Sequence, residues 1–409
     1  MTYCAVVGFS DGSSPIAESD PVTVTWHAVA GTYHTVPPVR LLDTRSANGL
    51  SGPFLAGTAR TFQVTGRGGP SNIPDGADAV TANVTVVKPS AASSVYLGPQ
   101  EIDSPTTATI NFNKSDITAY GSTIALSDTG SMSGTYMALT GSTDLVVDVT
   151  GYFTPDTTGD TYHPLTPARL LDTRSANGLS GKFKANVPRT FTVGGRGGVP
   201  AGAVAVTGNL TVVNSTNGWA AYIGPAPIAK PLASTINFSK GQIRANSMTV
   251  ALSSAGKLSA TFLSSGSAKV DMVFDVTGYY TADLTGAKYV PVDPAPLLDT
   301  RDGTGLVGKF VANTPRTLPV RGFAGVPAEA VGITGIVSVY NEASWAIFAG
   351  PVAIAKPNTS ALNFLKGDNC SNGFTVALNS TSGALSVTYM AGAGNTTNVE
   401  IVVTGYFVP

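Results

Sequence analysis

The string Arg40-Leu-Leu-Asp-Thr-Arg-Ser-Ala-Asn-Gly-Leu-Ser-Gly52 returns without change at residues 169–181 and is echoed by Pro296-Leu-Leu-Asp-Thr-Arg-Asp-Gly-Thr-Gly305. Self-similarity at a period of roughly 127 residues means that one structural plan is used three times, and it constrains the fold more than any composition value. Further matches keep the register. Ala59-Arg-Thr-Phe62, Pro188-Arg-Thr-Phe191 and Pro315-Arg-Thr-Leu318 correspond, as do Thr109-Ile-Asn-Phe112, Thr235-Ile-Asn-Phe238 and Ala361-Leu-Asn-Phe364. The copies close on Val149-Thr-Gly-Tyr-Phe153, Val276-Thr-Gly-Tyr-Tyr280 and Val403-Thr-Gly-Tyr-Phe407. The units are therefore 33–155, 162–282 and 289–409, joined by the short polar segments 156–161 and 283–288, which are too brief to let neighbours move far apart.

Within a unit the pattern has period two and is rich in Val, Thr, Ile, Tyr and Phe, as in Ala205-Val-Thr-Gly-Asn-Leu-Thr-Val-Val213 and Met248-Thr-Val-Ala-Leu252. Breakers such as Gly195-Arg-Gly-Gly-Val-Pro200 divide each unit into about eight such runs. A chain of 409 residues with 46 glycines and 27 prolines spread along it suits many short strands and tight turns. The expected fold is all-β: three tandem antiparallel β-sandwich domains, jelly-roll or Ig-like, preceded by a β-hairpin. In a sandwich one face of each strand packs on the second sheet, and the Thr and Ser face meets water.

Residues 1–32 lie outside the repeat. Tyr3, Ala5, Val7 and Phe9 alternate before Ser10-Asp-Gly-Ser-Ser-Pro15, and Pro21-Val-Thr-Val-Thr-Trp26 follows. This hairpin resembles the end of a fibronectin type III domain, with Tyr3, Val7 and Val22-Thr-Val-Thr25 carrying the likeness. It reads as the end of a cropped domain or as a strand pair donated between subunits, because an unpaired edge is a template for another strand.

The repeat itself resembles an uncharacterised module of large secreted and cell-surface proteins of actinobacteria and related bacteria. The likeness rests on the Leu-Leu-Asp-Thr-Arg opening, a Gly-Val-Pro-Ala-Gly turn and an Asp-Val-Thr-Gly-Tyr-Phe close, here residues 170–174, 198–202 and 275–280 of the middle copy. It implies export, partnership with fibronectin-like domains, and accessory rather than catalytic work. The third copy departs from the pattern, with Val402 in place of Asp148 and Asp275, and Phe323 in place of Arg67 and Arg196.

Candidate sites are few. Asp43 and Arg45, Asp172 and Arg174, and Asp299 and Arg301 stand two apart and share a face of an extended segment. No second carboxylate or base recurs with them, so they read as a turn-capping Asp and an Arg fork on loop carbonyls, with a sugar-binding ion pair as the alternative. His34 and His163 correspond, but Val290 replaces them in the third copy, so they read as strand flanks and not as metal ligands. Cys4 and Cys370 are the only cysteines and suggest neither a disulfide framework nor a thiolate site. Lys114, Lys240 and Lys366 follow Asn111, Asn237 and Asn363 closely, a spacing that suits polar turns better than a covalent cross-link.

Trp219 and Trp345 correspond, and the first copy has Ser93 there. Each indole either packs beneath a loop or stands partly exposed, and the second reading makes the pair the candidate ligand-binding residues. Charged residues are only 12% of the chain and net charge is −1, which leaves no footprint for nucleic acid, and no apolar run is long enough to insert in a membrane. With no catalytic constellation and no cofactor or metal motif, the expected role is a non-enzymatic extracellular or cell-surface structural or adhesive protein. It would be a stalk, or a self-assembling homo-oligomer or filament built through strand pairing. A carbohydrate-binding adhesin or accessory module on surface glycans is the alternative.

Overall fold

The computed structural model describes residues 2–3, 22–23, 29–69, 72–340 and 343–409. Among them all regular structure is β, and each repeat supplies nine strands. In the first repeat a five-stranded antiparallel sheet orders the strands Thr32–Asp43, Ser142–Thr154, Ala79–Val87 and Ile117–Ala125, with Phe54–Leu55 on the long Ser142–Thr154 strand. A four-stranded sheet orders Ala59–Gln63, Ser131–Tyr136, Ser93–Gly98 and Ile110–Phe112. The other two repeats copy both sheets strand for strand. The pair of sheets shares one core. In the middle repeat Leu171, Phe183, Leu210 and Phe274 from the first sheet pack with Phe191, Ile223 and Phe262 from the second.

The six sheets are arranged as a six-bladed β-propeller, which corrects the expectation of three tandem β-sandwich domains. Three observations account for the difference. The linkers do not run free between units. Tyr33 exchanges two backbone hydrogen bonds with Asp160, Tyr162 with Ala287, and Tyr289 with Gly31, all at 2.7–2.8 Å. Each repeat is thus stitched to the next, and the third returns to the first.

Aromatic residues at the ends of the long strands then meet at one centre. Tyr33 lies 4.5 Å from Tyr280, Tyr162 4.1 Å from Phe407, and Tyr289 4.3 Å from Phe153, between ring centroids. Every one of these contacts joins two different repeats, and all six rings are fully buried. Burial of a ring that size is worth about 2–3 kcal/mol, so the repeats have a large shared reason to close up. This centre also explains the closing motif. A Cβ on Gly151, Gly278 or Gly405 would strike the Tyr33, Tyr162 or Tyr289 ring of its own repeat. The neighbouring threonines bond one another at 2.9–3.0 Å, Thr81 with Thr150, Thr207 with Thr277 and Thr334 with Thr404. Tyr33 and Tyr289 join the first and third pairs through their hydroxyls at 3.0 Å.

The third observation concerns the alternating polar face. Thr81, Thr85, Thr118 and Thr123 are buried, not solvated, as are Asn83, Asn209 and Asn372. The second face of each five-stranded sheet lies against the neighbouring repeat, where Asn83 donates to the Ser234 carbonyl and Asn209 to the Ser360 carbonyl, while the buried hydroxyls of Ser122 and Thr211 go without a partner. A chain with 12% charged residues has little with which to clothe such faces in water, and closing the ring removes them from it.

Of the N-terminal hairpin, Thr2–Tyr3 pairs antiparallel with Val22–Thr23. The rest of that expectation lies outside the described residues.

Candidate functional site

The Asp-Thr-Arg triplets form three near-identical forks. Asp43 accepts hydrogen bonds from Arg45 Nε at 2.9 Å and Nη2 at 2.8 Å, and Asp172 and Asp299 hold Arg174 and Arg301 in the same way. The arginine clasps its own aspartate rather than loop carbonyls. Those carbonyls are taken instead by Arg60, Arg189 and Arg316, which bind the backbone oxygens of Gly52, Gly181 and Gly308. The hydrogen bonds from Arg45, Arg174 and Arg301 hold the three carboxyl groups below the usual carboxylate value.

A second arginine binds across the sheet. Asp148 accepts Arg40 Nε at 2.8 Å and Nη2 at 3.0 Å, and Asp275 accepts Arg169 at the same distances. The third repeat has Pro296 and Val402 in these places, so both partners are lost together. Arg67 and Arg196 are likewise paired, binding Asn48 and Asn177 at 2.6 Å. Phe323 replaces the arginine in the third repeat and Thr304 the asparagine.

His34 and His163 stack on Tyr152 and Tyr279, and each faces an aspartate of the following linker, Asp156 or Asp283. No group of three or more His, Cys, Asp or Glu side chains among the described residues is arranged to hold a metal ion. Cys370 is buried, and burial pushes its thiol up to about 12, which removes it as a nucleophile at neutral pH.

Trp219 and Trp345 open strands that pair with Ile236–Phe238 and Leu362–Phe364. Both are strongly exposed, at 72% and 60%. Both also sit at positive φ, +140° and +145°, in a region that favours glycine. Packing beneath a loop is therefore ruled out for both. A large apolar side chain held in solvent on strained backbone, twice at corresponding positions, is a combination that stability alone does not select.

Trp219 borders a cleft of about 380 Å³ where the first repeat's five-stranded sheet meets the second repeat. Arg40 and Arg45 come from the first repeat, Asn237, Gln242 and Arg244 from the second. Arg244 is buried, with Tyr120 Oη at 3.5 Å and Asp368 of the third repeat at 3.7 Å. Asp116 is the single carboxylate lining the cleft. Planar polar groups beside an exposed ring suit stacking on a sugar face and hydrogen bonding to its hydroxyls. Trp345 borders a cleft of about 400 Å³ with Asn313, Lys356 and Met390.

The sequence reading found Trp219 and the Asp43–Arg45 fork but did not bring them together, because they belong to different repeats. Arg244 was missed altogether. A signal was present: it stands where the other copies have Thr118 and Cys370. No family model matches the chain, and no curated protein matches it in sequence.

Proposed function

We propose that this chain is a non-catalytic glycan-binding protein of the bacterial cell exterior, with Trp219 as the stacking platform of its principal site. The observation that carries the reading is the pair of exposed, strained indoles, one of which opens onto a cleft lined by arginines and amides. Export and a surface location rest on the resemblance of the repeat to modules of secreted proteins. A purely architectural role, as stalk or filament subunit, gives no account of why two of three repeats hold a tryptophan in solvent and the first holds Ser93. The arginines Arg40 and Arg45 are matched by Asp43 and Asp148, so the cleft is close to electroneutral and suits neutral more than acidic sugars.

A glycan array tests this directly. Wild type binds a defined set of oligosaccharides, and Trp219→Ala lowers the affinity at least tenfold while its circular dichroism spectrum is unchanged. Binding that survives in Trp219→Ala, or no binding to any glycan by wild type, contradicts the reading.

A further inference from the structure

The three junctions between repeats differ in how completely they are filled. Between the first and second repeats lies a second, partly enclosed cavity of about 440 Å³. The corresponding spaces between the second and third, and between the third and first, hold only about 20 Å³ and 10 Å³. The fold can therefore close this space, and at one junction it does not. One contribution is visible in the sequence: Ala233 lines the open cavity where the other junctions have the buried threonines Thr359 and Thr107. Apolar walls left facing water in so deep a recess are a standing loss of stability unless something covers them.

The lining says what. Tyr222, Ile223, Met248 and Phe374 make it largely apolar, and threonine hydroxyls such as Thr123 and Thr249 add a few hydrogen-bonding groups. Its only charged side chain is Asp148, which is already held on both oxygens by Arg40. A charged ligand would lose its water without gaining a counter-ion. The volume falls within the range of small-molecule pockets. We propose that this cavity binds one uncharged, largely apolar small molecule, about the size of a three-ring aromatic, independently of the glycan cleft beside Trp219.

Titration with N-phenyl-1-naphthylamine, a neutral fluorescent probe, tests the proposal. Wild type should give a blue-shifted, saturable signal at one probe per chain. Ala233→Phe, which places a ring in the cavity, should weaken binding at least tenfold. Leu139→Ser, which removes a fully exposed leucine elsewhere, should leave it unchanged and so exclude adsorption to the surface. A crystal soaked with the probe should show density against Tyr222 and Met248, and this arm stands even if Ala233→Phe fails to fold. No saturable binding, equal binding by Ala233→Phe, or density elsewhere overturns the proposal.

Discussion

The junction between the first and second repeats and the junction between the third and first use the same strands with opposite chemistry. At the former, Asn246 donates to Asn83 Oδ1 at 2.8 Å and to the Thr235 carbonyl, and accepts from the Gly121 N–H. The second and third repeats repeat this with Asn372, Asn209, the Ala361 carbonyl and the Ser247 N–H. At the third junction the corresponding residues are Tyr120 and Ile336, both buried. The hydrophobic cores of the first and third repeats there merge into one, whereas the second keeps its own. The lesson is that departures from the shared plan come in matched sets, even when the two partners belong to different copies. Asparagine leaves with its asparagine, and Arg with its Asp, because a buried polar group left without its partner costs far more than replacing both.

The largest effect should come from breaking one such set by half. Asn246→Ala takes the partner from Asn83 Oδ1 and from the Gly121 N–H in the interior, and urea unfolding should show a loss of about 3 kcal/mol. The double change Asn83→Ile with Asn246→Tyr, which installs the third junction's pair, should lose less than the single one. A single variant that costs under about 1 kcal/mol would show that the asparagine ladder is incidental.

Asp148→Val should come next, at about 2 kcal/mol, because it leaves Arg40 two-thirds covered with Asp43 as its remaining carboxylate. Adding Arg40→Met should restore at least half of that loss, and a double-mutant cycle with no coupling would contradict the pairing argument.

The forks present in all three repeats should show a smaller, pH-dependent effect. Asp43 is held below its ordinary value of 3.8 by Arg45, so on acidification the unfolded chain takes up the proton first. The stabilisation is full above the ordinary value and is lost as pH falls through the folded one. Arg45 is about half exposed, so solvent screening limits the contribution to about 1 kcal/mol. Unfolding of wild type and Arg45→Met should differ by that much at pH 7 and converge as pH falls through the lowered value of the folded carboxyl; a gap that widens in acid has the wrong sign.

The smallest effect belongs to the strained indoles. Trp219→Gly relieves positive φ at an exposed site, so stability should change by less than about 1 kcal/mol in either direction. A loss of several kcal/mol would mean that the ring is a packing element.

Much of the local structure was legible because it is written in short motifs. Period-two alternation marks the strands, and Gly151 with Thr150 and Phe153 marks the end of each long one. The ring was not legible, because alternation says that a strand has two unlike faces and not what covers the second. Thr81, Thr85 and Asn83 look like residues for water, and only the neighbouring repeat shows otherwise. The candidate cleft escaped for a related reason. Arg40 and Trp219 are 179 positions apart in sequence and come together only when the first repeat's sheet lies on the second repeat.

Closure of the three repeats into one propeller is the central claim, and small-angle X-ray scattering of the intact chain tests it most directly. A single compact body of 409 residues should have a radius of gyration of about 22 Å and a bell-shaped normalised Kratky plot. A radius well above that value, with the profile of three jointed bodies in a row, would contradict the closed arrangement.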